Sequence, residues 1–579
     1  MSIHDLKVVN YMDGISFKPN PLKSLQLVVT SMIRGESQYY RLNNAGKKFA
    51  NSFLFSDFYE NEDSSTNFFD KIVNDALDYD FEGVIQFIEK LRNEYQMRLN
   101  PQVLVVAALL HPNRVQFNKN NPLVLKQAIK SAGSLPTDYC KQYELLVKSG
   151  QNKIPTLWKR TVAEYLESMS KYHAAKYIHG TKTGNGKSTD ESTEKLTLVR
   201  GKCGKPLVVK KEETTYSDKK SKVSLVDLIR ITHPKGKEGS VISEIVKTGK
   251  VVVADDEMTW EKLKSAGKTW KEIMQQIILP HMALLRNLRG ILKELKDDES
   301  GDELVDGLVE LLVSGVRNGR QFPFRYFSAH RALRNAGDDI LLSHLNKVSD
   351  ALERCLFVSM ETLPELKGRV DCLTDNSGSA HGAFVSAYGS VKVSEISNLS
   401  SILTCMRATN GGSVWVFGDR LVEYVVDKTK SVLEQLEKVN SIGVSIGQGT
   451  ETGVWLFWQK MINSKINLDH VFIYSDMQCG YGGLYVDSAN TKSLNDMNAN
   501  VSSNVSYVHS YIDVLKLVNI YREKVKAKMN IFCIQCAGYD NTILPDFLYR
   551  GGVMSGWTGK EVSMAAAMIK LWDEIENIY

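Results

Sequence analysis

Three short stretches of the chain carry residue types suited to holding a hard cation. Asp375-Asn376-Ser377-Gly378-Ser379 follows the apolar run RVDCLT, Thr450 sits in the glycine-rich GQGTETG, and Asp476 closes the apolar run HVFIYS. Together they offer two carboxylates and three hydroxyls, an oxygen donor set of low total charge. That set suits Mg²⁺ or another hard divalent cation far better than zinc. Ser377, Ser379 and Thr450 would approach the ion directly, and Asp375 and Asp476 directly or through water. A sixth position would remain for a carboxylate or phosphate from a partner. The alternative for the same residues is a set of polar loop ends that hydrogen-bond one another.

Catalysis is not expected from them. Asp375 lacks the second aspartate two residues on that a phosphoaspartyl enzyme uses, and GQGTETG lacks the lysine of a phosphate loop. No G-x-S-x-G elbow follows a strand. A second group has a different character. LIRITHPKG places Arg230, His233 and Lys235 within six residues at a helix end, and AAKYIHG adds Lys176 and Tyr177. Cations with an aromatic and a histidine at helix ends suit phosphates and unstacked bases. Taken one by one, they are also ordinary surface residues.

The elements that must position these groups change character along the chain. Up to about residue 365 the apolar period is helical, as in NPQVLVVAALLHP and TWKEIMQQIILPHMALLRNLRGILKEL. Asn100-Pro101 reads as a helix start, and Gly290 and Gly315 read as stops. Many consecutive amphipathic helices of similar length make an α-solenoid, in which each pair buries its face only against neighbours. From Leu366 onward short apolar runs alternate with helices, which predicts βαβ units and a mostly parallel sheet. Ligands of such sheets bind outside the carboxyl ends of the strands, where Asp375 and Asp476 fall. The expected organisation is thus a helical module over 1–365 and an α/β domain over 366–579.

At 579 residues, with 43% hydrophobic and 24% charged residues, the chain is a folded protein of more than one domain rather than a fibrous or mostly disordered one. Its net charge of +5 is too mild to name a partner. The distribution says more. Residues 366–579 hold 19 Lys and Arg against 21 Asp and Glu, whereas 181–222 hold 11 against 6. That segment, rich in Lys, Thr, Ser and Gly, reads as a solvated insertion or a functional loop, with LTLV and PLVV as a possible hairpin. No signal-like start and no run of about 18 apolar residues is present, so a membrane span is not expected. The eight cysteines are scattered, which fits a reducing, cytoplasmic setting. Cys533 and Cys536 form a C-x-x-C, but within IFCIQC they fall on opposite faces of a strand, which favours a structural role over a metal or redox one.

In order, GESQYYR, KYHAAKY, LIRITHPKG, MALLRNLRGIL, FPFRYFSAHRAL, DNSGS, GTETG and YSD make the chain resemble the TROVE-module RNA-binding family typified by the Ro autoantigen. The resemblance implies HEAT-like helical repeats closed into a ring by a von Willebrand factor A-like domain with a metal-ion-dependent adhesion site. It implies a scaffold of RNA quality control, not an enzyme. Such a scaffold binds small noncoding Y RNA on its outer surface and single-stranded ends of misfolded RNA in its cavity, as a monomeric ring with a possible exonuclease partner. By resemblance, Lys176, His233 and Lys235 lie at the Y RNA surface, and Asp375, Ser377, Ser379, Thr450 and Asp476 at the metal. Gly180 stands where the family has an arginine, so the detailed RNA contact departs from the pattern. Ala380 and Glu451 replace a usual Met and Asp without removing a ligand. Two further readings stay open: a protein-docking adaptor whose metal binds a partner carboxylate with RNA incidental, and, less favoured, a metal-dependent hydrolase.

Overall fold

A computed structural model describes residues 7–9, 15–30, 67–94, 97–149, 154–178, 223–248, 251, 259–319, 321, 323–361, 363–382, 391–418, 420–446, 451–478, 514–536, 542–545, 548–555 and 561–576. The basic segment 181–222, with its expected hairpin, lies outside them. Contacts divide the chain into two compact units, residues 48–258 and residues 1–47 with 259–579.

Every named element among the described residues of the unit 48–258 is a helix. Side-chain caps start its helices: Asp80 accepts the Gly83 N–H at 2.8 Å before Phe81–Asn93, and Ser224 with Asp227 makes a capping box on Leu225–Thr232. Pro101 falls in the first turn of Leu99–Leu110, as the sequence suggests. Val84, Ile85, Ile88 and Leu91 are 0–1% exposed and form one stripe of Phe81–Asn93. That helix packs on Leu99–Leu110 and Val124–Ala132, and Leu99–Leu110 packs on Pro136–Lys148. Each helix thus meets near neighbours in sequence, the arrangement of a repeat array. Polar groups wire the array internally. The Trp158 indole donates to Gln142 at 2.7 Å, whose amide donates to Gln102 at 2.6 Å. Arg98 at 2.8 Å and Arg92 at 3.3 Å both reach the buried Asp138.

The other unit joins helices to a sheet. A hairpin of β1 (Lys7–Val9) and β2 (Ile15–Phe17) precedes the helix Pro21–Thr30. Further on come β3 (Val370–Asp375), β4 (Gly412–Phe417), β5 (Leu421–Val425), β6 (His470–Ser475), β7 (Asn530–Gln535) and β8 (Gly551–Ser555). Their order is β5-β4-β3-β6-β7-β8, parallel except for the antiparallel edge strand β5. Both faces are covered, so the inner strands are buried on both sides. Cys372, Phe472 and Phe532 enter one core, and Leu373, Ile473 and Cys533 the other. Cys536 belongs to the core opposite that of Cys533, and the two are 1% and 0% exposed. The C-x-x-C is therefore split across the sheet, as its spacing predicts, and burial pushes both thiols up.

One sequence expectation, that Gly290 stops a helix, is corrected. At residue 365 the element type changes from helices to strands alternating with helices. The helices between Trp260 and Glu361 share one continuous core with the sheet, and Phe17 is buried under its other face beside Trp458 and Ile543. Gly290 does not stop a helix; it lies inside His281–Glu294, where the buried Leu288, Ile291 and Leu292 around it carry the helix through. Gly315 does cap Gly301–Ser314. Among the described residues no helix is long and apolar enough to cross a membrane.

Candidate functional site

β3 and β6 are adjacent and parallel, so their carboxyl ends place Asp375 and Asp476 side by side at one edge. Asp375 is 1% exposed; its Oδ1 accepts the Ser377 N–H at 2.9 Å and its Oδ2 accepts the Ser475 hydroxyl at 2.7 Å. The Ser377 and Ser379 hydroxyls lie 3.1 Å apart, and Ser379 donates to Asp476 Oδ2 at 3.1 Å. Asp476 is held in turn, its Oδ1 accepting the Gln478 N–H at 3.0 Å and its carbonyl accepting the Gln535 amide at 3.2 Å. Met477 takes a left-handed conformation, φ 62°, which turns the chain so that its N–H reaches Ser475 Oγ at 3.0 Å. A non-glycine residue in that region is strained, and strain of this kind gathers at functional sites.

The structure therefore gathers Asp375, Ser377, Ser379 and Asp476. Thr450 lies outside the described residues. The helix that follows it, Glu451–Asn463, begins against the end of β4, where the Gly453 N–H donates to the Gly418 carbonyl at 3.2 Å. Burial pushes the Asp375 carboxyl up, while the hydrogen bonds from Ser377 and Ser475 pull it down. Among the described residues no Lys or Arg pairs with Asp375. A buried carboxylate without a cation is costly, so the donor chemistry fits a divalent ion. Among those residues, too, no group of three or more His, Cys, Asp or Glu assembles. Sequence reasoning missed Ser475, whose only signal is its place just before Asp476, and Gln535, which carries none.

The second group is exposed. Leu225–Thr232 ends at His233, whose left-handed φ of 50° and ψ of 58° break the helix and expose the turn that follows. Arg230 is exposed, with Asp227 of its own helix 3.8 Å away. Lys235 is exposed too, and its backbone N–H donates to Glu167 Oε1 at 2.6 Å, pinning the turn to the end of Thr156–Glu167. Arg230, His233 and Lys235 thus form one exposed turn on a fixed base. Tyr177 is half-buried on Lys171–Tyr177, its ring 6.4 Å from that of His173. Lys176 lies in the same helix, and its side chain is outside the described set. Lys171 ties this helix to Val241–Thr248 through Glu244 at 3.8 Å.

These features define a class: a helical-repeat array carrying an exposed cationic turn, together with an open α/β sheet of Rossmann type whose carboxyl edge gathers oxygen donors. Residues 95–378 match the TROVE domain model. The fold is similar to that in the crystal structure of the Deinococcus radiodurans Ro (RSR) protein, with a TM-score of 0.54 and 12% identity over 94% of this chain and 99% of that one. No curated protein sequence matches. The chain therefore carries a TROVE domain. A general RNA-binding, scaffold role goes with that domain.

Proposed function

We propose that the protein is a Ro-type scaffold of RNA quality control or processing. The basic outer surface of its helical array binds a small noncoding, Y-like RNA, with Arg230, His233, Lys235, Lys176 and Tyr177 at the contact. HEAT-like repeats, closed into a monomeric ring by a von Willebrand factor A-like domain, receive the single-stranded ends of structured or misfolded RNA in a central cavity. The observation that carries this reading is the exposed Arg230–Lys235 turn, inside the TROVE match and pinned by Glu167. A pinned turn presents its cations at little entropic cost, and phosphates reward it by counterion release. The segment 181–222 supplies additional cations in place of the arginine that Gly180 lacks. A cytoplasmic setting fits the scattered cysteines. Sequencing the RNA that co-purifies with the protein tests the proposal, with a small structured RNA as the expected result. Deleting 181–222 should flatten the slope of log affinity against log salt, and an unchanged slope would remove the insertion from the interface.

The buried Asp375–Asp476 edge favours a second reading alongside the first. Asp375, Ser377, Ser379, Thr450 and Asp476 would hold Mg²⁺, which supplies an open coordination position for a carboxylate of a protein partner such as an exonuclease. Asp375→Ala with retained RNA and a lost protein partner would assign the edge to docking. Absence of any enriched RNA would leave the docking adaptor as the main function.

A further inference from the structure

Between Asp375 and Ser377 stands Asn376, 1% exposed and held at every polar group. Its N–H donates to the Phe417 carbonyl at 2.9 Å, and its carbonyl lies 3.1 Å from His381 Nδ1. Its side chain makes a reciprocal amide pair with Asn398 of the helix Val393–Met406. Asn376 Nδ2 donates to Asn398 Oδ1 at 2.9 Å, and Asn398 Nδ2 donates back to Asn376 Oδ1 at 3.1 Å. Asn398 also accepts from Thr374 Oγ1 at 2.8 Å and donates to Asn440 Oδ1 at 2.8 Å. All four hydrogen-bonding positions of the buried Asn398 amide are thereby filled.

The third wall is Gly443, near the end of the helix Val432–Val444. A Cβ at Gly443 would overlap Asn376 Oδ1 and lie 2.9 Å from its Cγ, so only glycine lets this helix close on the pair. Gly453, on the helix after Thr450, does the same against the end of β4, where a Cβ would overlap Phe417. The two glycines bracket the GQGT stretch at both ends. A fully satisfied buried network is rigid, whereas a half-satisfied one is costly. A rigid Asn376 fixes the directions in which the residues on either side of it, Asp375 and Ser377, present their oxygens.

We propose that the Asn376–Asn398 amide pair, seated on Gly443, is the positioning device of the divalent-cation site, an inference that rests on the cation reading given above. Outer partners of this kind orient ligands, and their loss costs about 10–100-fold in metal affinity. The test uses the full chain with Mn²⁺ as the probe. Mn²⁺ affinity by calorimetry, thermal midpoint and hydrogen exchange of the Ser377 amide are measured for the wild type, Gly443→Ala and Asn398→Asp. Asn398→Asp is isosteric and replaces the donor facing Asn376 Oδ1 by an oxygen, and it carries the test if Gly443→Ala does not fold. The expected result is a loss of about tenfold or more in Mn²⁺ affinity, with faster Ser377 exchange. Variants that melt lower yet bind Mn²⁺ as the wild type does would overturn the proposal and leave the network a structural one. Should the wild type take up no Mn²⁺, the cation reading fails and the positioning proposal falls with it, an outcome distinct from variants that bind Mn²⁺ as the wild type does.

Discussion

The two units spend their buried polar groups differently. In the helical unit they run between helices: Trp158 to Gln142 to Gln102 spans three of them, and Asp138 collects Arg92 and Arg98. The exposed Arg230–Lys235 turn is outside that wiring. In the sheet-bearing unit the buried polar groups converge on one edge, where Asp375, Ser475, Asn376, Asn398 and Gln535 hold or adjoin the candidate ligands. The difference follows from geometry. An array spreads side chains along its length and offers many separate places, whereas a parallel sheet brings the ends of adjacent strands to one line. The array suits a long, charged partner, and the sheet edge suits a point ligand.

The largest effect should come from cutting the wiring of the array. Trp158→Ala removes a fully buried ring and orphans Gln142, and should cost about 3–5 kcal/mol by chemical denaturation, with faster hydrogen exchange in Leu99–Leu110 and Pro136–Lys148. A loss under about 1 kcal/mol would show that the chain of amides does not hold the array. Next in size, Asp375→Asn should lower Mn²⁺ affinity by about tenfold, equivalent to about 1.4 kcal/mol. It should leave RNA affinity unchanged; a parallel loss of RNA binding would erase the division of labour between the units. Smaller again, Arg230→Gln and Lys235→Gln should each reduce RNA affinity a few-fold and flatten the slope of log affinity against log salt by about 0.9 for every phosphate no longer neutralised. Equal slopes for variant and wild type would place the phosphates elsewhere.

The mildest expectation is a trend with pH. Burial holds His281, His330 and His470 of the sheet-bearing unit below the usual histidine range, and in the helical unit it does so for His111, opposed by Asp78. In the unfolded chain these imidazoles take up protons near pH 6.5. Between that value and their lower folded ones the unfolded state binds more protons, so stability falls as pH drops through about 6.5 and is regained above it. Melting midpoints should decline from pH 7 to pH 5, more for the sheet-bearing unit. A flat profile would mean that these rings charge freely in the fold.

Much of the site was legible because strand ends can be read from hydrophobic runs: DNSGS after RVDCLT and Asp476 after HVFIYS fall where parallel strands must stop. The split of Cys533 and Cys536 was legible from period alone. Asn398 and Asn440 were not, since a polar residue on a helix announces neither its burial nor its partner. Amphipathicity names the face of a helix that will be covered and leaves open what covers it, so the shared core of 260–361 with the sheet gave no sign. The same limit explains Gly290, whose helix continues because the residues around it are buried.

Phe17 has a consequence for how the protein is made. Its N–H and carbonyl pair with Thr542, and Ser16 Oγ donates to the Thr542 carbonyl, across a separation of 526 residues. On a ribosome, residue 17 emerges long before residue 542 exists, and domains that fold as they appear do so from the N-terminal end. The sheet-bearing unit cannot follow that order. Its first hairpin, β1 with β2, must wait undocked while the whole helical unit is synthesised, and the buried place of Phe17 closes only once Thr542 has been made. Folding of this unit therefore includes a closure between residues far apart in the chain. A nascent chain halted before residue 542 should leave Phe17 open to proteolysis nearby even with every earlier helix in place.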